Sequence, residues 1–270
     1  MTVDIAHEYE TIELAVVDHV ATVTLNRPTS LNPLDPRMAH EVMHVLEAVE
    51  DDPGVRVVVL TGAGRAFSSG ADLAGGGMQQ DGSSGIDVLT PLRTAYNPLL
   101  IKLRELPQPV IAAVNGPSVG IGVSLAFACD LVVAAQEAYF LLAFVNIGLT
   151  VDGGASATIA ARAGAARTLE MALLGERIGA EQASQWGLVN RVVPGAELAD
   201  TVGALAAKLA ASPPLSLRAS KQLVNATCFY NYAADLDREA IAQQECAQTS
   251  DFVEGVTAFL QKRPATFTGA

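Results

Sequence analysis

The sequence predicts an α/β layered core over residues 1–195 and an all-helical region over residues 196–270. Two observations carry the first half. The short apolar runs at Val55–Leu60 and Val110–Val114 have the length and composition of buried strands, and each leads through a Gly-containing turn toward a helical stretch. A third observation carries the second half: past Ala196 the strand signal stops and only helical periodicity remains.

Residues 11–25 hold two runs of alternating β-branched residues around Asp18-His19, so a hairpin opens the fold. Asp35-Pro36 supplies an N-cap and a proline at the first helical position, and Met38, Val42, Val45, Leu46 and Val49 then recur at helical spacing up to the break at Asp52-Pro53-Gly54. After the strand at Val55–Leu60 comes the turn-forming TGAGRAFSSGADL. Residues 74–90 are rich in Gly, Ser and Gln with no apolar period, and are read as a mobile surface loop beside that turn. The strand at Val110–Val114 leads into NGPSVGIG and the apolar SLAFACD, and further strands follow at Leu131–Ala135 and near Tyr139–Leu142. Helices are predicted over 196–211, from Pro213 to about Asn231, over 233–248 and over 251–262. This tail suits oligomerisation rather than catalysis, because Leu205, Leu209, Leu217, Leu223 and Val224 exceed what a single core covers.

The chain of 270 residues is half hydrophobic and only 17% charged, enough for a sizeable core. A net charge of −12 argues against nucleic acid or an anionic membrane as a partner, and leaves any polyanionic ligand to a local basic group or to helix N-termini. Acidity names no substrate, since it also serves solubility. Cys129, Cys228 and Cys246 are widely spaced and outside any CxxC or Cys/His cluster, which points to a reducing cytoplasm and to neither a disulfide framework nor structural zinc. The opening MTVDIAHEYE has acids where a signal peptide needs basic and apolar residues, and no apolar run reaches transmembrane length. Neither export nor membrane spanning is expected.

Residues 40–44 spell His-Glu-Val-Met-His, the HExxH pattern in which two histidines one turn apart hold zinc beside a glutamate base. On their helix, both histidines fall opposite the Val42/Val45/Leu46/Val49 stripe, on the face toward solvent, and the other histidines, His7 and His19, lie upstream. They are read as surface histidines, and no metal is expected. Ser124 in Gly122-Val-Ser-Leu-Ala approaches the GxSxG nucleophile elbow. Every histidine precedes it, the last being His44, so the order serine, acid, histidine is impossible and a serine hydrolase is set aside.

The turns AFSSGADL at 66–73 and VNGPSVGIGVSLAFACD at 114–130 together have what an oxyanion site needs: small residues that let a ligand approach the main chain, and N–H groups left free at a helix start. These blocks, with LNRPTSLNPL, VVVLTGAGRAFSSGADL, GLTVDGG, ALLGERIGAEQASQWGLVNRVV and AFLQKRPATF, follow one another along nearly the whole chain. The sequence resembles the enoyl-CoA hydratase/isomerase, or crotonase, family, and within it the isomerase-like branch. That resemblance implies a crotonase-like spiral of ββα units, a C-terminal helical trimerisation region, and homotrimers that often pair as dimers of trimers. It also implies an acyl-CoA thioester as substrate, with coenzyme A part of that substrate and no separate cofactor.

Carried over residue by residue, the resemblance places the oxyanion donors on the N–H of Ala71, after Gly70, and on the N–H of Ile121, between Gly120 and Gly122. Family members commonly carry a third glycine where Ile121 stands; the change keeps the N–H and bears on pocket width. Hydratases of the family carry one glutamate on the helix after the second turn and another before the GL..DGG-like turn. The matching positions here are Ser124 and Phe144, and neither transfers a proton as a carboxylate does. Several isomerases of the family place an acid in the turn itself, which here is Asp152. Migration of a double bond needs only one base. The alternative role for Asp152 is a helix N-cap, and the two roles can coexist. Ala66, Gly70, Asp72, Leu73, Gly120, Ser124 and Phe144 are the implied substrate-binding positions, with Asp72 and Asp130 read as structural acids and Asp87 as a weaker candidate, a loop acid whose access to the pocket depends on closure and stays open. Arg27, Lys262 and Arg263 are candidates for the phosphates of coenzyme A, the last two from a neighbouring subunit, against the alternative of ordinary surface charge. Three functional readings stay open: an isomerase with Asp152 as proton shuttle, a hydratase that is weak or holds water between Ser124 and Asp152, and a non-catalytic acyl-CoA-binding protein.

Overall fold

The computed structural model describes residues 8–73, 79–81 and 85–270. The opening hairpin is β1 (Ile12–Val17) and β2 (Val20–Leu25), antiparallel from Ile12 against Leu25 to Val17 against Val20. Asp18 and His19 turn it with φ of 48° and 68°, the two-residue geometry whose twist matches the flanking strands. α1 (Pro36–Glu50) begins where Asp35 Oδ1 accepts the Met38 N–H at 2.8 Å, and its predicted apolar stripe is buried. His40 and His44 are exposed on its far side. Glu41 between them accepts the N–H groups of Glu10 and Thr11, so the carboxylate that the zinc reading would make a base holds the hairpin instead. Among the described residues no group of three or more His, Cys, Asp or Glu is placed to hold a metal.

After β3 (Val57–Gly62) come the short strands β4 (Gln79–Asp81) and β5 (Gly85–Asp87), which pair antiparallel. Residues 74–78 and 82–84, part of the expected surface loop, lie outside the described residues. For the described part, the expectation of a loop without regular structure is corrected, because α2 (Leu89–Pro91) also begins there, passes through a π-helical turn at Leu92–Tyr96 and continues as α3 (Asn97–Glu105). Distant side chains hold this segment: Gln244 accepts the N–H groups of Val88 and Leu89, while Gln244 and Gln248 donate to the Ile86 carbonyl. No apolar period marks it for that reason.

The chain continues through β6 (Val110–Val114), β7 (Ser118–Val119), α4 (Ile121–Ala128), β8 (Leu131–Ala135), β9 (Tyr139–Leu141) and α5 (Ala155–Leu174). It then forms β10 (Ile178–Gly179), α6 (Ala180–Gln185) and β11 (Arg191–Val193). The main sheet has six strands in the order β1-β2-β3-β6-β8-β11, parallel except for the opening pair. A smaller sheet has the order β10-β9-β7. Two successive units, β6-β7-α4 and β8-β9-α5, each send their first strand to the main sheet and their second to the small one. That repeat is the ββα spiral, and it brings the turns between second strand and helix to one place. β6 is buried along its whole length, as a parallel strand covered on both faces must be.

The tail forms α7 (Leu198–Ala210), α8 (Pro214–Cys228), α9 (Tyr232–Ala247) and α10 (Ser250–Gln261), close to the predicted limits. α7 packs on β2, β3, β6 and β8. α8 buries none of its residues in this chain; Leu223 and Val224 are exposed, while Leu205, Leu209 and Leu217 are half-buried. Among the described residues no helix is long and apolar enough to cross a membrane.

Candidate active site

The first Gly-containing turn runs between two neighbours. On one side the Leu34 N–H donates to Gly70 O at 2.8 Å and Leu34 O accepts the Asp72 N–H at 3.0 Å. On the other, Ser68 bridges Ser118, with the Val119 N–H donating to Ser68 O at 3.0 Å. Since Gly70 O and the Asp72 N–H both point to Leu34, the intervening Ala71 N–H points the other way, and no described acceptor takes it.

The second turn is fixed where the Gly120 N–H donates to Leu141 O at 2.8 Å. Gly120 has φ 52° and ψ −127°, and Gly70 has φ 95°, conformations in which a side chain is strained. A Cβ at Gly70 would also stand 2.9 Å from Val119 O, so glycine is what lets the two turns touch. Ile121 follows as the first residue of α4, and its N–H is one of the four that a helix leaves without an internal acceptor. No described acceptor takes this N–H either.

Ala71 and Ile121 line one cavity of about 380 Å³ with Gly70, Leu73, Gly120, Phe144 and Asp152. Val88, Leu92, Tyr96, Leu141, Leu149 and Phe259 make much of the remaining wall apolar. Asp152 is 7% exposed. Its Oδ2 accepts from Gln243 Nε2 at 2.8 Å, whereas its Oδ1 is buried with no partner among the described residues. Burial pushes its pKa up to about 7; the Gln243 hydrogen bond opposes this and the nearby Glu239 charge adds to it.

The alternative role of Asp152 as the cap of α5 is corrected by the structure. Glu239 of α9 takes that position, its carboxylate accepting the N–H of Gly154 at 2.5 Å and that of Ser156 at 2.9 Å. Only the main chain of Asp152 serves the helix start, its carbonyl accepting the Ala155 N–H at 3.2 Å and the Ser124 hydroxyl at 2.8 Å.

Phe144 lies on the cavity wall, its ring 3.7 Å from where a Cβ on Gly120 would stand. Ser124 is fully buried under the Asp152 turn and is not part of the cavity wall. Ala66 is also fully buried, its carbonyl accepting from the Asn32 and Asn115 side-chain amides. Arg27 pairs with Asp72 at 2.7 Å and Asp35 at 3.1 Å, tying the first turn to the start of α1. Arg27, Ala66, Asp72 and Ser124 thus belong to the frame rather than the wall. Lys262 caps the end of α10 with φ 54° and does not line the cavity. Arg263 does line it, within the same chain, clamped by Glu254 at 2.6 and 2.7 Å, so its place there needs no neighbouring subunit. Asp87 lies outside the wall and accepts the Thr90 N–H at 2.9 Å, which holds its carboxyl below the ordinary range. Asp130 is a structural acid, accepting from the Val110 N–H and Lys221 Nζ, both at 2.8 Å.

Sequence reasoning assigned nothing to Glu239 and Gln243. The signal was present in weak form: α9 buries Tyr232, Leu236, Ala240 and Ala247 along one face, and these two polar residues interrupt that stripe. A buried polar residue on an apolar face needs a partner, and here both partners lie in the Asp152 turn.

A family model described as enoyl-CoA hydratase/isomerase matches residues 16–270. A probable enoyl-CoA hydratase from Rhodobacter capsulatus is 42% identical over 261 residues, covering 97% of this chain and 99% of the relative. The 1,2-epoxyphenylacetyl-CoA isomerase of Escherichia coli is 41% identical over 250 residues, covering 93% and 95%. Among solved structures, an enoyl-CoA hydratase from Mycobacterium avium subsp. paratuberculosis matches with a TM-score of 0.87 at 39% identity, over 97% of this chain and 100% of that one.

Proposed function

From the premise that the chain belongs to the enoyl-CoA hydratase/isomerase family and has its crotonase fold, we propose that it shifts a double bond in an enoyl-CoA, with Asp152 as the base and the N–H groups of Ala71 and Ile121 as the oxyanion hole. One observation carries the reading: among the described residues that line the cavity, Asp152 is the only carboxylate, and the cavity wall also contains Ala71 and Ile121, whose N–H groups no described acceptor takes.

In a 3-enoyl-CoA, the Asp152 carboxylate removes a proton from C2, and the electron pair of that C–H bond moves into the thioester to give a dienolate. The negative oxygen is stabilised by the two N–H groups, which stay fixed because their turns are locked. Return of the same proton to C4 moves the double bond to C2–C3 and restores the carboxylate. Coenzyme A enters and leaves as part of the substrate, and its polar portion is assigned to Arg263 because that is the one cation lining the cavity among the described residues. The apolar walls suit an uncharged acyl group.

Hydration is the second reading, favoured by the names of relatives such as the Rhodobacter protein. It needs a water activated and a proton delivered to carbon, and Ser124 is too buried and already engaged with the Asp152 carbonyl to hold that water. A panel of 2-enoyl, 3-enoyl, dienoyl and aromatic-ring CoA esters, assayed separately for hydration and isomerisation, tests the proposal. Isomerisation of 3-enoyl esters that disappears in Asp152→Asn supports it. Efficient hydration without isomerisation overturns it, as does binding of coenzyme A esters with no turnover of any of them.

A further inference from the structure

We infer that Gln243 and Glu239, one turn apart on α9, are positioning residues for Asp152: Gln243 holds Oδ2 so that Oδ1 is the oxygen left for the proton, and Glu239 fixes the turn that carries the carboxylate. This rests on the reading of Asp152 as the base. A carboxylate at the end of a short side chain can rotate, and a base whose reacting oxygen wanders loses rate. Three side chains oppose that here, one at the carboxylate and two at the main chain that carries it. Ser124 Oγ donates to the Asp152 carbonyl at 2.8 Å, Glu239 accepts the Gly154 and Ser156 N–H groups just beyond it, and Gln243 Nε2 donates to Oδ2 at 2.8 Å. Glu239 is 7% exposed and Gln243 2%, so none of these bonds is loosened by solvent.

The charge around the site is arranged for a base that ionises near neutrality. Glu239 and Gln243 face Asp152 from α9, Ser124 from α4, and the Tyr96 hydroxyl from the π-helical turn donates to Leu34 O at 3.2 Å. The one cation lining the cavity among the described residues, Arg263, is clamped by Glu254. Burial of Glu239 raises its own pKa, and its charge raises that of Asp152, while the Gln243 bond works the other way. The two α9 residues therefore act on the base in opposite directions.

The test is the pH profile of kcat/KM for 3-enoyl-CoA isomerisation in Gln243→Leu and Glu239→Gln, with Gln243→Met as a donor-free variant should leucine not fold. Loss of the Gln243 donor is expected to move the acid limb up by about one unit, and loss of the Glu239 charge to move it down by about one unit. Both variants should lose kcat by about 10- to 100-fold, the scale on which a misplaced reacting group costs, with KM changed less than about threefold. Lower melting temperatures with an unmoved acid limb in both variants would overturn the inference. If Asp152→Asn is inactive while the α9 variants keep the parent profile, only this inference fails. If Asp152→Asn isomerises at the parent rate, the assignment of the base fails first.

Discussion

Glu239 accepts the N–H of Gly154 at 2.5 Å and so fills, from a helix near the C-terminus, the capping position that Asp152 would otherwise occupy at the start of α5. The carboxylate of Asp152 is thereby released from structural duty and stays buried on the cavity wall.

Replacement of Asp152 by asparagine separates chemistry from folding. Isomerisation of a 3-enoyl-CoA should fall by about 10²–10⁴, the usual worth of a general base, with affinity for coenzyme A little changed. Loss of a cap would cost about 1 kcal/mol, but that loss is not expected because Glu239 provides the cap. Single-turnover kinetics and melting temperature on the same preparation check both parts.

Stability should fall as pH rises toward neutrality. The Asp152 pKa, up to about 7 in the folded protein, lies above the value of about 3.9 for an unfolded aspartate. The folded state keeps its proton longer, so stability from this group is complete below about pH 4, declines from there to about pH 7 and is level above, a loss on the order of a few kcal/mol. Glu239, raised in the same direction, adds to the slope, so Asp152→Asn should flatten it without abolishing it. Denaturant unfolding at several pH values measures this. If Asp152 is the base as proposed, the same ionisation should set the acid limb of isomerisation near pH 7, since only the carboxylate accepts the proton.

Hydration of a short 2-enoyl-CoA should run at least about a thousandfold below a family member with both glutamates, because two acid–base groups worth about 10²–10⁴ each are missing. Phe144→Glu places an acid on the cavity wall. Ser124→Glu does not: Ser124 is fully buried, its Cβ stands 2.8 Å from where a Cβ on Gly153 would be, and its hydroxyl holds the Asp152 carbonyl. The double variant is expected to lose about 1–3 kcal/mol to overpacking before it gains hydratase activity. A higher melting temperature with recovered hydration would contradict that expectation.

Gly70→Ala should part the two turns. Its Cβ would meet Val119 O at 2.9 Å in a backbone with φ 95°, a strain of about 1–3 kcal/mol that the turn relieves only by moving the Ala71 N–H. Isomerisation should drop more than affinity for free coenzyme A, as kinetics and calorimetry would record.

Assembly as a trimer or a dimer of trimers is expected from α8, which buries no residue in this chain and exposes Leu215 by 78% and Leu223 by 71%. Sedimentation at micromolar concentration tests it. Leu223→Asp with Val224→Asp should yield monomers, and a parent protein that is already monomeric would refute the expectation.

Much of this molecule is written locally. The hairpin at Asp18-His19, the Asp35 cap, the buried strands and the four tail helices each follow from patterns within about a dozen residues, because hydrogen bonds and apolar faces that close over short distances leave a periodic trace. The glycines of the two turns were legible from local turn chemistry, whereas Asp152 was singled out only by the family resemblance, its local pattern reading as a helix cap. The strands β4 and β5 were not, since backbone pairing and the amides of Gln244 and Gln248 hold that segment with no apolar period of its own. Arg27 and Asp72 read as separate charges in the sequence, yet fold into one ion pair. Glu239 and Gln243 were least accessible of all: the Gln243–Asp152 bond spans 91 residues, and no local rule names the partner of a buried polar side chain until the chain has folded back on itself. Burial then does what sequence cannot encode nearby, removing water from Asp152 and leaving a carboxylate whose proton comes off near neutrality.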